Sequence, residues 1–230
     1  MAAPLTDAAI ERVRQLIMSG GLVPGQRLPA EAELSTELGV SRSSLREAVR
    51  GLVTAGVLDV RRGDGTYVTS LSPGRLLTGI GAAVELLQDD SILGLVECRR
   101  VIEPPVTALA ASRMDEQQLA VVGAHLRLMQ TSEHVADELV LHDADFHSAV
   151  AHASGNPVLA SVLLGISSGT VRTRVWRGVV DADAAHRTIE EHQAIYAALQ
   201  ARDPQLAQAA ALVHVASIET WLRSMVDAHR

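Results

Sequence analysis

Apolar residues in the first 70 positions change their spacing several times, whereas those that follow keep a helical period to the end of the chain. Ile10, Val13 and Ile17 mark the buried edge of a first helix, with Thr6 as its cap and Gly20-Gly21 as its stop. A second short helix is predicted from about Ala30 to Leu38, with Glu31 and Glu33 in its first turn, where acids suit the helix dipole. Gly39-Val40 connects it tightly to a third helix, 41–54, whose apolar edge is Leu45, Ala48, Val49 and Leu52. Ser41 can cap that helix by accepting from a free amide of its first turn. Residues 57–61 and Thr66-Tyr67-Val68 are strand-like, and the glycine-rich turn Arg62-Gly63-Asp64-Gly65 joins them. Helix, turn, helix and a two-stranded wing make a winged helix-turn-helix.

Beyond the turn-formers Ser70-Leu71-Ser72-Pro73-Gly74, strand signals are nearly absent. The spacing predicts helices near 75–89, 91–113, 115–131, 133–153, 156–177, 182–201 and 204–228. The breaks fall at Asp89-Asp90-Ser91, Met114-Asp115, Thr131-Ser132, Ser154-Gly155-Asn156-Pro157, Gly178 and Asp203-Pro204. Helices of this length and number form an antiparallel bundle. The expected fold class is therefore mainly α: an N-terminal winged helix-turn-helix with a small β wing over residues 1–70, a linker at 71–75, and a C-terminal antiparallel all-helical bundle over 76–230.

The third helix carries the first candidate chemistry. Ser43, Arg46 and Arg50 fall off its apolar stripe and Arg42 stands at its start, so hydroxyls and guanidinium groups share the exposed side. Arginine can donate two parallel hydrogen bonds to guanine or pair with phosphate, and serine lets a helix approach a phosphate closely. In a winged helix this helix enters the major groove: Arg42 and Arg46 contact bases or phosphates, Ser41 and Ser43 contact phosphates, and the wing tip Arg62-Gly63 reaches the minor groove.

Charge sharpens the division. The net charge of −7 argues against a general nucleic-acid coat protein. Through Arg75 there are nine arginines against eight acids, and from Leu76 onward eleven against nineteen. The front is near neutral with its arginines clustered, and the acidic rear is expected to stay off DNA. No run of about 18 apolar residues suggests a membrane span, and because the N-terminus lacks a basic region followed by an apolar stretch, no secretion signal is expected. The lone Cys98 excludes an internal disulfide, fits a cytoplasmic location, and is expected to be a small buried apolar residue.

The rear half holds the second candidate chemistry. Asp143 and His147 lie four apart on one predicted helix and project from one face. His192 and His214 fall on the next-to-last and last helices, and the Asp203-Pro204 turn lies near the midpoint between them. In an antiparallel pair folded about that turn the two histidines come out side by side. Three imidazoles and one carboxylate can then converge on a divalent metal ion: zinc or nickel by this donor set, manganese or iron if more oxygen joins. His125, His134, His142, His152, His186 and His229 show no comparable pattern and read as surface or packing residues, though His142 and Asp145 border the proposed site. Arg172, Arg174 and Arg177 surround Trp176; one of them could reach the pocket, and surface placement is the leading expectation.

Specific stretches then carry a resemblance. Pro24-Gly25-Gln26-Arg27-Leu28-Pro29-Ala30-Glu31, Leu34, Leu38-Gly39-Val40-Ser41-Arg42, Leu45-Arg46-Glu47-Ala48 and Gly63-Asp64-Gly65-Thr66-Tyr67-Val68 together resemble the DNA-binding domain of the GntR family of bacterial transcription regulators. The family often has an arginine directly after the glutamate of the second helix; this chain has Ala32, so one DNA contact per half-site is missing or is replaced by Arg27. Asp143-Ala144-Asp145-Phe146-His147, Ala153-Ser154-Gly155-Asn156, Glu191-His192 and His214 resemble the ligand-binding, or FCD, domain of the FadR branch. That resemblance implies that Asp143, His147, His192 and His214 hold a metal ion, and that 76–230 binds an effector and dimerises. Glu97-Cys98-Arg99-Arg100-Val101-Ile102-Glu103-Pro104 resembles a further family segment, which implies that Arg99 faces the pocket and pairs with a small carboxylate effector.

The leading expectation is a homodimeric, ligand-responsive transcription regulator on palindromic operator DNA, with repression relieved by ligand implied more often than activation. Two other classes compete. One is a metal-dependent hydrolase or oxygenase with a DNA-binding anchor, for which Glu191 is the sole candidate general base. The other is a non-sensing dimeric DNA-binding protein with a structural metal.

Overall fold

The computed structural model describes residues 3–86, 91–181 and 183–228. The chain forms two compact units, Met1–Gly79 and Ile80–Arg230. The first contains α1 (Ala3–Met18), α2 (Glu31–Glu37), α3 (Arg42–Thr54), β1 (Leu58–Arg61), β2 (Gly65–Val68) and the short α4 (Pro73–Leu76). Its core gathers Val13 of α1, Leu34 of α2, Leu45 and Leu52 of α3, Leu58 of β1 and Val68 of β2, with Leu22 from the loop after α1. α1 begins at Ala3 rather than at Thr6, which lies inside it; Pro4 falls in the first turn, where a missing N–H leaves no bond unmade.

Local chemistry holds α3 in place. The Ser41 hydroxyl accepts from the Ser44 amide at 3.1 Å, closing the first turn, a cap worth about 1 kcal/mol. Gly39 turns the chain between α2 and α3 with φ +59, a left-handed conformation that favours glycine. The guanidinium of Arg12, from α1, donates to the carbonyls of Leu38 and Gly39 and so ties the elbow to the first helix. β1 and β2 pair antiparallel from Leu58↔Val68 to Arg61↔Gly65. Tyr67 donates to Asp64 at 2.8 Å and Arg61 stacks over the Tyr67 ring at 3.9 Å, bracing the wing.

The second unit holds most of α5 (Thr78–Glu85) and then α6 (Ile92–Arg113), α7 (Glu116–Thr131), α8 (Ala136–Ala153), α9 (Pro157–Ser168), α10 (Val171–Val180), α11 (Ala184–Gln200) and α12 (Pro204–Ala228). Its main core draws Val122, Leu126 and Met129 from α7, Phe146 and Val150 from α8, and Ile195, Ala198 and Leu199 from α11. α11 and α12 form a hairpin at Arg202-Asp203, where Arg202 takes φ +55 and the Asp203 carboxylate accepts from the Gln205 and Leu206 amides.

Several expected boundaries shift. The linker placed at 71–75 overlaps α4, and the expected helix 75–89 is split between α4 and α5, with residues 87–90 outside the described set. The expected helix 156–177 is two helices, α9 and α10, separated at Gly169-Thr170. Gly169 lies against Val84 and Leu95 with no room for a side chain, and the buried Thr170 hydroxyl meets Arg99 at 3.3 Å. These tertiary contacts place the break. Gly178 is not a break: α10 continues through it to Val180. Cys98 is exposed rather than buried, because the inward stripe of α6 runs through Leu95, Val96, Arg99 and Glu103. Among the described residues no helix is long and apolar enough to cross a membrane.

Candidate functional site

On the first unit, Ser41, Arg42, Ser43 and Arg46 of the α3 region and Arg62 and Gly63 of the wing tip are all exposed. The Ser41 hydroxyl contacts those of Ser43 and Ser44 at 3.0 and 2.8 Å. Arg46 Nε donates to Glu31 Oε2 at 2.7 Å, which raises the arginine's pKa further and leaves both Nη groups outside the pair. Arg27, Arg46 and Arg50 line a groove of about 690 Å³ with Gly65 and Thr66. Arg27 packs so closely on Gly65 that a side chain there would collide with its guanidinium. The guanidinium suggested to stand in for the arginine absent at Ala32 thus shares a groove with Arg46.

On the second unit, Asp143, His147, His192 and His214 are all buried, and each offers a ligand atom within 4.8 Å of the others. α8 supplies Asp143 and His147, α11 supplies His192 and α12 supplies His214. His192 and His214 face each other across the hairpin with ring centroids 4.5 Å apart. His192 Nε2 lies 3.1 Å from His147 Nε2 and 3.1 Å from Asp143 Oδ1. His147 Nε2 is 3.7 Å from the same oxygen. Phe146 closes one side, edge-on to His192 at 4.7 Å.

The outer nitrogens set the tautomers. His192 Nδ1 lies 2.7 Å from the Thr188 carbonyl, His147 Nδ1 2.7 Å from Glu103 Oε1, and His214 Nδ1 2.8 Å from Glu191 Oε2. The Thr188 carbonyl and Glu191 Oε2 accept hydrogen bonds and Glu103 Oε1 is the ion-pair neighbour of His147 Nδ1, an arrangement that favours protons on the outer Nδ1 atoms and lone pairs on the inward Nε2 atoms. Burial and the neighbouring imidazoles push His192 and His214 down to about 3, so both stay neutral. Two inward lone pairs 3.1 Å apart repel, and His214 Nε2 is buried with no hydrogen-bond partner. A cation among them removes both penalties: ligand atoms about 2.1 Å from one ion sit roughly 2.9–3.4 Å from each other. The residues therefore fit a divalent metal, with oxygen partners behind all three imidazoles as metal-ligating histidines require.

The surrounding charges were less visible in the sequence. Arg174 and Arg177, expected on the surface, are buried; the Arg172 side chain lies outside the described set. Arg174 pairs with Asp143 Oδ2, so one carboxylate faces the imidazoles with Oδ1 and a guanidinium with Oδ2. Burial, with Arg99 nearby, pulls Arg174 down to about 9, still charged at neutral pH. Arg99 is fully buried, donates to Glu103 at 2.9 Å and touches Thr170. Burial alone would raise the Glu103 carboxyl, but Arg99 and His147 hold it well below the usual carboxylate range. Arg99 Nη2, Arg174 Nε and Arg177 Nε are all buried donors without a hydrogen-bond partner. A cavity of about 30 Å³, the scale of one water, opens beside Asp143 and His214 and is lined by Arg174, Arg177 and Thr188; Arg99 is not in that lining.

Glu191, the one candidate general base, accepts from His214 instead. Burial would raise it; hydrogen bonds from His214 and Ser217 and the charge of Arg177 hold it lower. Glu191→Gln is expected to weaken metal binding about 10- to 100-fold, the usual cost of losing such an outer partner, as measured by competition with a chelating indicator; unchanged affinity would remove Glu191 from the site's support.

Two family models match the chain, one in each unit. Residues 5–68 match the model of bacterial regulatory proteins, gntR family, and residues 94–217 match the FCD domain. The chain is 31% identical to the HTH-type transcriptional regulator LutR of Bacillus subtilis, over 90% of this chain and 96% of that protein. It is also 31% identical to the galactonate operon transcriptional repressor of Escherichia coli, over 96% of this chain and 97% of that protein. Among solved structures it is similar to Streptococcus agalactiae GntR, with 30% identity, a TM-score of 0.67, and coverage of 94% of this chain and 99% of that one.

Proposed function

Because this chain belongs to the GntR family of bacterial regulatory proteins and pairs its winged helix with an FCD domain, and is thus a DNA-binding transcription regulator rather than an enzyme, we propose that it is a cytoplasmic homodimeric repressor released by a small organic acid bound at a metal centre. The ligands are Asp143, His147, His192 and His214, and the ion is zinc or nickel by donor type, with manganese or iron as the oxygen-richer alternatives. Bound there, it would supply a Lewis-acidic anchor for a carboxylate oxygen.

The observation that carries this reading is the charge balance of the buried centre. His192 and His214 are neutral, Arg99 and Arg174 are matched by Glu103 and Asp143, and Arg177 lies near Glu191. A divalent ion leaves two positive charges in excess where water is scarce, beside three arginines each with an idle donor. A small carboxylate supplies one of the two missing negative charges together with the acceptors. Arg99 offers Nη2 to it, and Arg174 and Arg177 line the adjoining space.

A cavity of about 30 Å³ cannot hold an organic acid. Its entry must shift α10, which carries Arg174 and Arg177, relative to α8. An effector that binds only the shifted packing biases the equilibrium by that difference in affinity. In a dimer on a palindrome, the bias changes the spacing of the two α3 helices, which enter the major groove with Arg42 and Arg46 on bases or phosphates, Ser41 and Ser43 on phosphates, and Arg62-Gly63 in the minor groove.

The test is release of the metal-loaded protein from an operator duplex, selected by the protein itself from random DNA, by a panel of small carboxylates that includes galactonate. At least one acid is expected to weaken binding about 5-fold or more, the ordinary range of coupling, and to lose that effect in Arg99→Ala. Release by none of them, with metal bound, would leave a structural ion and a non-sensing regulator.

A further inference from the structure

We propose a second divalent-metal site, outside the central cluster, formed by His125, His142 and Asp145 at the packed edge of α7 and α8. His142 and Asp145 are three apart on α8, about 60° around its axis, and His125 reaches them from α7. One ligand atom from each side chain lies within 4.8 Å of the other two. His125 Nδ1 is 3.9 Å from Asp145 Oδ2. That is too long for a hydrogen bond but inside the ~4.2 Å that separates two atoms each about 2.1 Å from a shared ion. The Nδ1 atoms of His125 and His142 are both buried without a hydrogen-bond partner. Two imidazole nitrogens shielded from water and aimed at no protein acceptor, next to a carboxylate, are a ligand set more than a packing arrangement.

The chemistry selects the ion. Two nitrogens and one oxygen suit zinc or nickel, whereas magnesium and calcium require oxygen throughout. Asp145 is about half exposed, 48% by side chain, so coordination positions remain for water and exchange with solvent is easy. The central cluster is buried on every ligand. The outer ion is therefore the weaker of the two and the first to leave on mild chelation. Its structural effect is to cross-link α7 to α8, the helix that also carries Asp143 and His147.

Zn²⁺ titration of the full-length, metal-stripped protein tests this. Wild type is expected to take up one ion per chain more than His125→Gln/His142→Gln, with the tighter phase unchanged between them. Asp145→Asn, at a half-exposed position that does not endanger the fold, is expected to weaken only the looser phase, by about tenfold or more. Equal uptake by wild type and the double variant, or an Asp145→Asn protein with an unaltered looser phase, would overturn the site.

Discussion

Arg46→Ala is expected to weaken specific operator binding by at least about 25-fold while leaving the chain folded. Arg46 is exposed on α3 and contributes nothing to the core, so its loss is felt at the DNA. One bidentate contact to a base discriminates by about 1–3 kcal/mol, roughly 5- to 150-fold. A two-fold dimer loses the contact in both half-sites, so the combined effect is at least about 25-fold if the sites act independently. The free protein already holds Arg46 Nε against Glu31, which orients the side chain before DNA arrives. Filter binding or anisotropy on operator and scrambled duplexes, with a thermal melt as the folding control, reads the effect. Operator affinity equal to wild type would show that α3 does not enter the groove through Arg46.

His192→Ala is expected to lower metal affinity by more than about 100-fold and to remove the effector response with it, while DNA binding without effector persists. His192 occupies the centre of the cluster: its Nε2 is the atom that approaches both His147 Nε2 and Asp143 Oδ1 at 3.1 Å. Removing it leaves three ligands and a gap between them, a larger loss than the 10- to 100-fold seen for outer partners. The buried ring also packs on Phe146, so a lower melting temperature accompanies the change, and metal affinity must be read below that transition. Full effector response in this variant would separate the ligand from the metal.

The sequence made the skeleton of these sites readable for specific reasons. Ser41 and the Leu45, Ala48, Leu52 stripe mark α3 because a cap and a buried face are local properties. His192 and His214 could be placed side by side because Asp203-Pro204 bends the chain midway between them, and simple counting back from a hairpin suffices. Arg174 and Arg177 were misplaced on the surface for the opposite reason. Periodicity treats arginine as a solvent-facing residue, whereas their burial depends on Asp143 and Glu191, far away in the chain. Glu103 gave a weak signal, four residues after Arg99 on one helix face, but its role toward His147 needed the fold. The division between α9 and α10 was hidden because a glycine in a helix costs only about 1 kcal/mol; contacts of Gly169 with Val84 and of Thr170 with Arg99 decide it. Cys98 lies outside because Leu95, Val96, Arg99 and Glu103 form the inward stripe of α6, although a free thiol behaves as a small apolar residue.

Elemental mass spectrometry of freshly purified, untagged protein beside His214→Ala decides whether four buried side chains on three helices hold a metal ion. One more metal ion per chain is expected in the wild-type protein than in the variant. Equal metal content in the two, with both folded, would contradict it and leave Asp143, His147, His192 and His214 as a packed polar core.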